Sequence, residues 1–239
     1  MPSKAFGELL ESVRHTPSLA AEQVQALLDA KADVVVLDAR RFDEYQTMSI
    51  PGGISVPGAE LVLRVAELAP NPTTQVIVNC AGRTRSIIGT QSLVNAGIPN
   101  PVAALRNGTI GWTLAGQQLA HGQDRQFAAV SDATRADAAA RARKVADQAG
   151  VSRLDREALA AWQADTGRTT YLFDVRTPEE YAKGHLPNSR SVPGGQLVQE
   201  TDHVASVRGA RIALVDDDGA RANMSASWLA QMGLSLIHI

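Results

Sequence analysis

The sequence predicts an α/β protein with two tandem copies of one fold, each copy a parallel sheet flanked by helices on both faces. Three observations support this prediction. Short apolar runs typical of buried strands alternate with longer runs typical of helices, as in parallel sheets. Residues 38–61 recur as residues 174–197, at a constant spacing of 136. The 239 residues also leave room for two compact domains.

The internal repeat aligns without a gap. Asp38-Ala39-Arg40 corresponds to Asp174-Val175-Arg176, and Val56-Pro57-Gly58 corresponds to Val192-Pro193-Gly194. A match of this length at one spacing indicates two copies of one arrangement of strands and helices.

Each copy follows the same order of elements. A helix leads into a buried strand that ends at an Asp-x-Arg motif. A short helix, a proline turn and the Val-Pro-Gly loop follow, and a second buried strand comes next. The helix and the two strands are predicted at 20–30, 34–37 and 76–79 in the first copy and at 156–165, 171–173 and 212–215 in the second.

A further helix is predicted over residues 87–97 of the first copy, with Gly97 as its stop. The Ala-, Arg- and Asp-rich segment 131–150 is predicted to be a connecting helix with a solvated charged face. We therefore expect an active domain at 18–122, a helical linker at 123–150 and a second domain at 151–239.

The only cysteine, Cys80, follows the second predicted strand and opens the segment Cys80-Ala81-Gly82-Arg83-Thr84-Arg85-Ser86, called the site loop below. A thiol between a strand end and a helix start lies at the positive end of the helix dipole. Such surroundings favour the thiolate form, which is the nucleophile. Backbone amides and arginine side chains of the same loop can bind an anion, and Gly82 is expected to allow a close backbone approach.

Composition excludes several other classes of protein. A single cysteine excludes an intramolecular disulfide and the usual cysteine-rich zinc site, and the five histidines show no spacing typical of a metal site. A formal net charge of −2 argues against nucleic-acid binding. No apolar core typical of a signal peptide follows the first six residues, and no apolar run approaches the length of about 18 residues that a membrane helix needs, so we expect neither kind of segment. We expect a reducing cytoplasmic location.

Taken together, Asp-x-Arg with Glu-Tyr, Ile-Pro-Gly-Gly, Val-Pro-Gly and the Cys-x-x-Gly-x-Arg-Ser of the site loop resemble the rhodanese homology domain. The resemblance covers almost the whole chain, and the segment 107–112 resembles the one that closes such domains. It implies a sulfurtransferase without cofactor or metal, in which Cys80 becomes a persulfide. It also implies a small-molecule sulfur donor such as thiosulfate and an acceptor such as cyanide, a small thiol or a protein thiol.

Residues 81–86 are expected to bind the anionic donor. We expect Arg83 to face solvent and to bind the anion, and Arg85 to brace the loop against a carboxylate. Asp38 and Arg40 are expected to form a supporting ion pair at the end of a strand.

The second copy departs from the family pattern. Asp216 stands where the first copy has Cys80, within Asp216-Asp217-Asp218-Gly219-Ala220-Arg221. A carboxylate cannot carry a sulfane sulfur, so this copy is expected to be catalytically silent, with Arg221 retained but without a purpose. We also expect its C-terminal part to be incomplete, without the last strand and helix of the family pattern, because residues 234–239 resemble a translated sequencing adapter and the natural chain is expected to continue with other residues.

Two alternatives differ in class. A cysteine phosphatase or arsenate reductase also uses a thiolate in an anion-binding loop, but such loops place five residues between Cys and Arg, whereas Cys80 and Arg85 are separated by four. A non-enzymatic persulfide carrier or interaction module would keep the same loop, with the second copy docking a partner. The sequence does not distinguish this carrier from an enzyme.

Overall fold

A computed structural model describes residues 2–234 and 236–238. The first copy contains β1 (Ser18–Leu19), β2 (Val34–Asp38), β3 (Ile54–Ser55), β4 (Gln75–Asn79) and β5 (Val102–Leu105), with α1 (Pro2–Arg14), α2 (Ala21–Asp29), α3 (Phe42–Thr47), α4 (Leu61–Leu68), α5 (Thr84–Asn95) and α6 (Gly108–Leu114). The second copy contains β6 (Ser152–Arg153), β7 (Thr170–Asp174), β8 (Arg190–Ser191), β9 (Arg211–Val215) and β10 (Leu236–His238), with α7 (Asp132–Gln148), α8 (Arg156–Ala164), α9 (Pro178–Lys183), α10 (Gly194–Gln199), α11 (Thr201–Val204) and α12 (Ala220–Gln231).

Within the described residues, each copy forms one five-stranded sheet, and the two sheets have the same strand order, β1-β5-β4-β2-β3 and β6-β10-β9-β7-β8. Every paired strand in both sheets is parallel. Alternate residues of β4 belong to two different apolar clusters, Val76 and Val78 to one and Ile77 to the other. Both faces of the sheet are therefore covered, and the predicted fold class is confirmed.

The strand register of the two sheets is the same when residues are compared at the spacing of 136 found in the sequence. Asp38 pairs with Asn79 in the first sheet, and Asp174 pairs with Val215 in the second. Asp216 therefore follows its strand at the place where Cys80 follows β4. In parallel sheets this carboxyl edge is where ligands bind.

One expectation about the second sheet is wrong. We expected its last strand to be missing from the chain, but β10 lies between β9 and β6, in parallel with both. Ladder hydrogen bonds are made by the backbone, so any short apolar segment that can extend is able to fill this position. Ser235 and Ile239 lie outside the described residues.

Helix α1 was not predicted from the sequence, and α5 begins at Thr84, three residues before the predicted start at Ile87. The helix in segment 131–150 is present as α7. It packs on α12 as α1 packs on α5, and it also contacts α4 of the first copy. Helix α7 is therefore the counterpart of α1 in the repeat as well as the connection between the two copies.

The two Val-Pro-Gly loops contact each other where the copies meet. A Cβ atom built on Gly195 would lie 3.0 Å from the backbone nitrogen of Gly58, and one on Gly194 would lie 2.8 Å from Cβ of Ala59. Nearby, the indole of Trp228 donates a hydrogen bond of 2.8 Å to Oγ of Ser92. Small residues thus let the two copies approach at backbone distance.

Candidate active site

Cys80 lies at the carboxyl end of the central strand β4, directly before the first turn of α5. Its side chain is nearly buried, with 2% of the residue exposed. The 12 residues of α5 direct the positive end of the helix dipole toward the loop that Cys80 opens. This arrangement favours negative charge at the sulfur or on a bound ligand.

The N-terminus of α6 closes the site loop from the other side. The amides of Thr109 and Ile110 donate hydrogen bonds of 2.9 and 3.1 Å to the carbonyls of Cys80 and Ala81. A Cβ atom on Gly108 would lie 2.0 Å from the carbonyl oxygen of Cys80, and φ of Gly108 is +55°, so this position requires glycine. The close approach expected at Gly82 is therefore found at Gly108, while a Cβ on Gly82 would meet no atom within 4 Å.

Ser86 is the residue of the first helical turn that contacts the sulfur. Its Oγ lies 3.4 Å from Sγ of Cys80 and donates a hydrogen bond of 2.9 Å to the carbonyl of Arg83. The hydroxyl can thus accept from a thiol, or turn to donate to a thiolate.

Beneath Cys80, the predicted ion pair of Asp38 and Arg40 is present and buried. The guanidinium of Arg40 donates to both carboxylate oxygens of Asp38, at 2.8 and 2.7 Å. Asp38 also accepts a hydrogen bond of 2.7 Å from the side chain of Asn79, the residue before Cys80. The pair therefore fixes the strand end that carries the thiol.

Arg85 pairs with Glu44 of α3, and both of its hydrogen bonds, 2.6 and 2.8 Å, go to the carboxylate. Burial disfavours the charged guanidinium, but the hydrogen bonds and charge of Glu44, together with negative charge at Cys80, raise the pKa of Arg85. For Glu44, burial acts to raise the pKa, and Arg85 outweighs it, so the pKa is lowered. Arg85 thus stays cationic and joins the loop to α3.

Arg83 has a different environment. Its side chain is half exposed and forms an ion pair with Glu11 of α1. Helix α1 is fixed beside the loop, since a Cβ on Gly7 would lie 3.1 Å from Cγ2 of Thr84. The exposed arginine of the site loop is therefore already paired with a carboxylate of the same chain.

The loop of the second copy holds a carboxylate where the first holds the thiol. Asp216 accepts hydrogen bonds of 3.0 and 2.9 Å from the amides of Gly219 and Ala222. Asp218 accepts from the amide of Ala220 at 2.6 Å. Burial and the negative charge of Asp216 raise the pKa of Asp218 to about 6. This loop therefore binds its own side chains with the amides that would otherwise receive an anion.

Arg221 requires a correction, because it has a purpose. Its side chain is 0% exposed and contacts four carboxylates, a group called the Arg221 cluster below: Glu60, Glu180, Asp217 and Asp218. The pair with Glu180 repeats the pair of Arg85 with Glu44, and the pair with Glu60, at 3.0 Å, reaches into the first copy. Burial opposes the charge of Arg221, but Glu60 and Asp218 outweigh it and raise its pKa.

Sequence reasoning missed three residues of the site. Glu44 was a candidate, because the repeat retains a glutamate at 44 and 180 and an arginine at 85 and 221, and the sequence had already predicted a carboxylate partner for Arg85. Glu11 and Gly108 are brought to the loop by the tertiary structure alone. Within the described residues, no group of three or more His, Cys, Asp or Glu side chains could hold a metal ion.

None of the helices that the structure describes has the length and apolar composition needed to cross a bilayer.

Comparison with known proteins gives one solved structure that matches nearly the whole chain and two curated sequences that match part of it. The crystal structure of a thiosulfate sulfurtransferase from Pseudomonas aeruginosa is 80% identical, with a TM-score of 0.98, over 99% of this chain and 45% of that one. A helix-turn-helix transcriptional regulator from Mycobacterium tuberculosis is 31% identical over 38% of this chain and 39% of its own length. A protein of Bacillus subtilis named as a candidate sulfur carrier is 26% identical over 41% of this chain and 54% of its own.

The chain thus spans about half or less of the length of these relatives. The sequence profile of the rhodanese-like domain matches residues 20–115 and again residues 155–239, so that it covers most of the chain in two copies. The chain belongs to the rhodanese-like domain family.

Proposed function

We propose that this chain is a sulfurtransferase that moves a sulfane sulfur from thiosulfate, through a persulfide on Cys80, to a thiophilic acceptor. The observation that carries the proposal is the position of Cys80, a single thiol that opens the loop before α5, in the segment that also carries Arg83 and Arg85. The relative that is 80% identical is a thiosulfate sulfurtransferase, which supports the same chemistry here.

The reaction has two displacement steps. The thiolate of Cys80 attacks the outer sulfur of thiosulfate, the S–S bond of the donor breaks, and sulfite leaves with the bonding electron pair. The persulfide on Cys80 then loses its outer sulfur to cyanide or a thiol, which regenerates the thiolate. The transfer of sulfur from thiosulfate to cyanide involves no net proton transfer, so the site needs no general base. It needs positive charge and hydrogen-bond donors that stabilise the anionic sulfur atoms.

The internal repeat indicates which amide would serve this chemistry. In the second copy the amide of Ala222 donates to the carboxylate that replaces the thiol. Its counterpart in the first copy is the amide of Ser86, and both residues lie in the first turn of equivalent helices. We therefore assign the Ser86 amide, with its hydroxyl, to stabilise negative charge on the outer sulfur. Arg85, held by Glu44, supplies fixed positive charge.

We further propose that the second copy is catalytically silent and supports the first, since its loop is filled by Asp216 and Asp218. The proposed domains are 18–122 and 151–239, joined through 123–150. We also propose a reducing cytoplasmic compartment, where a single reactive thiol persists. Acceptors there would be small thiols or a protein thiol.

The proposal is tested by incubating the protein with thiosulfate and recording its intact mass, followed by thiosulfate:cyanide turnover. We expect a gain of one sulfur atom that cyanide removes, together with steady production of thiocyanate. A stable gain without turnover would support the persulfide carrier instead. The absence of both would overturn the proposed function.

Replacing Arg83 with alanine should raise KM for thiosulfate about three- to tenfold, which corresponds to roughly 0.7–1.4 kcal/mol. The effect is modest because the side chain is half exposed and solvent screens its charge. We expect kcat and the melting temperature to change little. Steady-state kinetics over a range of thiosulfate concentrations, with a thermal melt, provide the measurement.

Replacing Arg85 with alanine should affect both activity and stability. Glu44 would lose both hydrogen bonds, and the loop would lose its link to α3. For a partly buried pair we expect a cost of about 2 kcal/mol, or a melting temperature lower by about 4–8 °C, with kcat reduced at least about tenfold. A variant that raised KM alone would show that Arg85 binds the donor and that the bracing role is assigned to the wrong arginine.

A further inference from the structure

Glu11 connects a helix outside the family domain to the site loop. The family profile begins at residue 20, whereas α1 ends at Arg14. The carboxylate of Glu11 nevertheless pairs with Arg83, three residues after Cys80. The side chain that we expect to meet an anionic donor is therefore already bound to an anion.

The position of Glu11 is fixed by packing against both copies. The ring of Phe6 meets Trp228 edge to face at 6.0 Å, and Oγ of Ser3 donates a hydrogen bond of 2.6 Å to the carbonyl of Gln199. Leu10, the residue before Glu11, is buried. Helix α1 is held on α5, α10 and α12, which keeps Glu11 beside the loop.

The silent copy provides an internal comparison. At the spacing of 136 residues, Asp147 of α7 corresponds to Glu11, and Gly219 corresponds to Arg83. Asp147 forms its ion pair within α7, with Arg143. In the copy that carries the thiol, the preceding helix thus pairs a carboxylate with an arginine of the loop, whereas in the silent copy the corresponding carboxylate pairs within its own helix.

We propose that Glu11 is an internal competitor for Arg83 and that it sets the affinity of the site for anionic sulfur donors. This inference rests on the proposed function. A donor with two negative charges displaces Glu11 and recruits Arg83, whereas a neutral reagent reaches Cys80 without disturbing the pair. Because a half-exposed ion pair is weak, the exchange is easy, and its effect is a graded preference for dianions rather than a closed gate.

The kinetic test compares Glu11→Gln with Glu8→Gln, an exposed glutamate one turn away on the same helix that makes no ion pair among the described residues. We expect Glu11→Gln to lower KM for thiosulfate about three- to tenfold, with kcat within about twofold of the wild type, and Glu8→Gln to leave both unchanged. In an Arg83→Ala background at physiological ionic strength, the effect of Glu11→Gln should fall to that of Glu8→Gln. Equal KM values for Glu11→Gln and the wild type, or an undiminished effect without Arg83, would overturn the proposal.

A second test does not depend on turnover. Cys80 is the only thiol in the chain, so alkylation reports on this site alone. The ratio of its rates with anionic iodoacetate and neutral iodoacetamide cancels the thiolate fraction and measures the attraction for an anion. We expect this ratio to rise in Glu11→Gln and not in Glu8→Gln. An unchanged ratio would overturn the role of Glu11, whereas a raised ratio in a protein that lacks sulfur transfer would overturn the proposed function and leave the role of Glu11 standing.

Discussion

Replacing Cys80 with serine is expected to abolish sulfur transfer, with a loss of at least about three orders of magnitude. Serine is nearly isosteric, but its hydroxyl is not ionised near neutral pH and cannot carry a sulfane sulfur. The fold should persist, because the hydrogen bonds that fix this position, from the amides of Thr109 and Ile110, go to backbone carbonyls. Thiocyanate production and a thermal melt measure the two effects.

The matched control for this variant is the wild type with Cys80 alkylated, which removes the same nucleophile without changing the sequence. Both forms should produce thiocyanate no faster than buffer without protein, and neither should gain a sulfur atom from thiosulfate. Turnover above that rate in the serine variant would mean that another group carries the sulfur, and the proposed mechanism would be wrong.

Replacing Arg221 with methionine is expected to give the largest loss of stability. The side chain is fully buried, and its removal leaves Asp218 and the partly buried Glu180 without their cation, while Glu60 keeps only its pair with Arg64. Breaking a buried pair costs about 3–5 kcal/mol. At about 2–4 °C per kcal/mol for a chain of this size, the melting temperature should fall by about 6–20 °C.

The pH dependence of that loss has a defined sign. In the wild type, burial opposes ionisation of Glu180, but Arg221 outweighs it and lowers the pKa of Glu180 from its usual 4.5. The pair therefore stabilises the fold above about pH 4.5, and this contribution is lost as pH falls through the lowered value. The gap between variant and wild type should be wide at neutral pH, should narrow as pH falls toward about 6, where Asp218 becomes protonated, and should narrow again below about pH 4.5.

Arg208→Met is the control for this prediction, since Arg208 lies in the same copy and is exposed. Its melting temperature should match that of the wild type. Arg221→Lys keeps the positive charge but lacks the planar guanidinium group, which donates several hydrogen bonds in a fixed geometry. We expect this variant to lose an intermediate amount of stability. An Arg221→Met protein that melts within about 2 °C of the wild type would show that the Arg221 cluster does not stabilise the fold.

The sequence predicts the strands and the site loop well for a physical reason. Strands such as β4 are buried on both faces, so they appear as uninterrupted apolar runs between polar turns. The start of α5 is harder to predict, because Thr84, Arg85 and Ser86 form a polar first turn that has the composition of a loop. A polar first turn contributes little apolar periodicity, so the pattern that predicts the helix is visible only from Ile87 onward.

Charges in the site were predicted in part. The structure shows the side chain of Arg83 half exposed and that of Arg85 paired with a carboxylate, as expected, while their roles toward the sulfur donor stay predictions. Glu11 and Glu60 were missed because each meets its arginine from a distant part of the chain. The second loop was misjudged for a related reason, since Asp217 and Asp218 look like repelled charges until Arg221 is seen between them.

The contact between the Val-Pro-Gly loops defines the symmetry that relates the two copies. Gly58 meets Gly195 while Ala59 meets Gly194, and Ser92 meets its own counterpart, Trp228. Reciprocal contacts of this kind are the mark of a two-fold dimer. The two copies therefore face each other across a local two-fold axis, as the subunits of a homodimer do, so that one polypeptide holds both halves of such a pair.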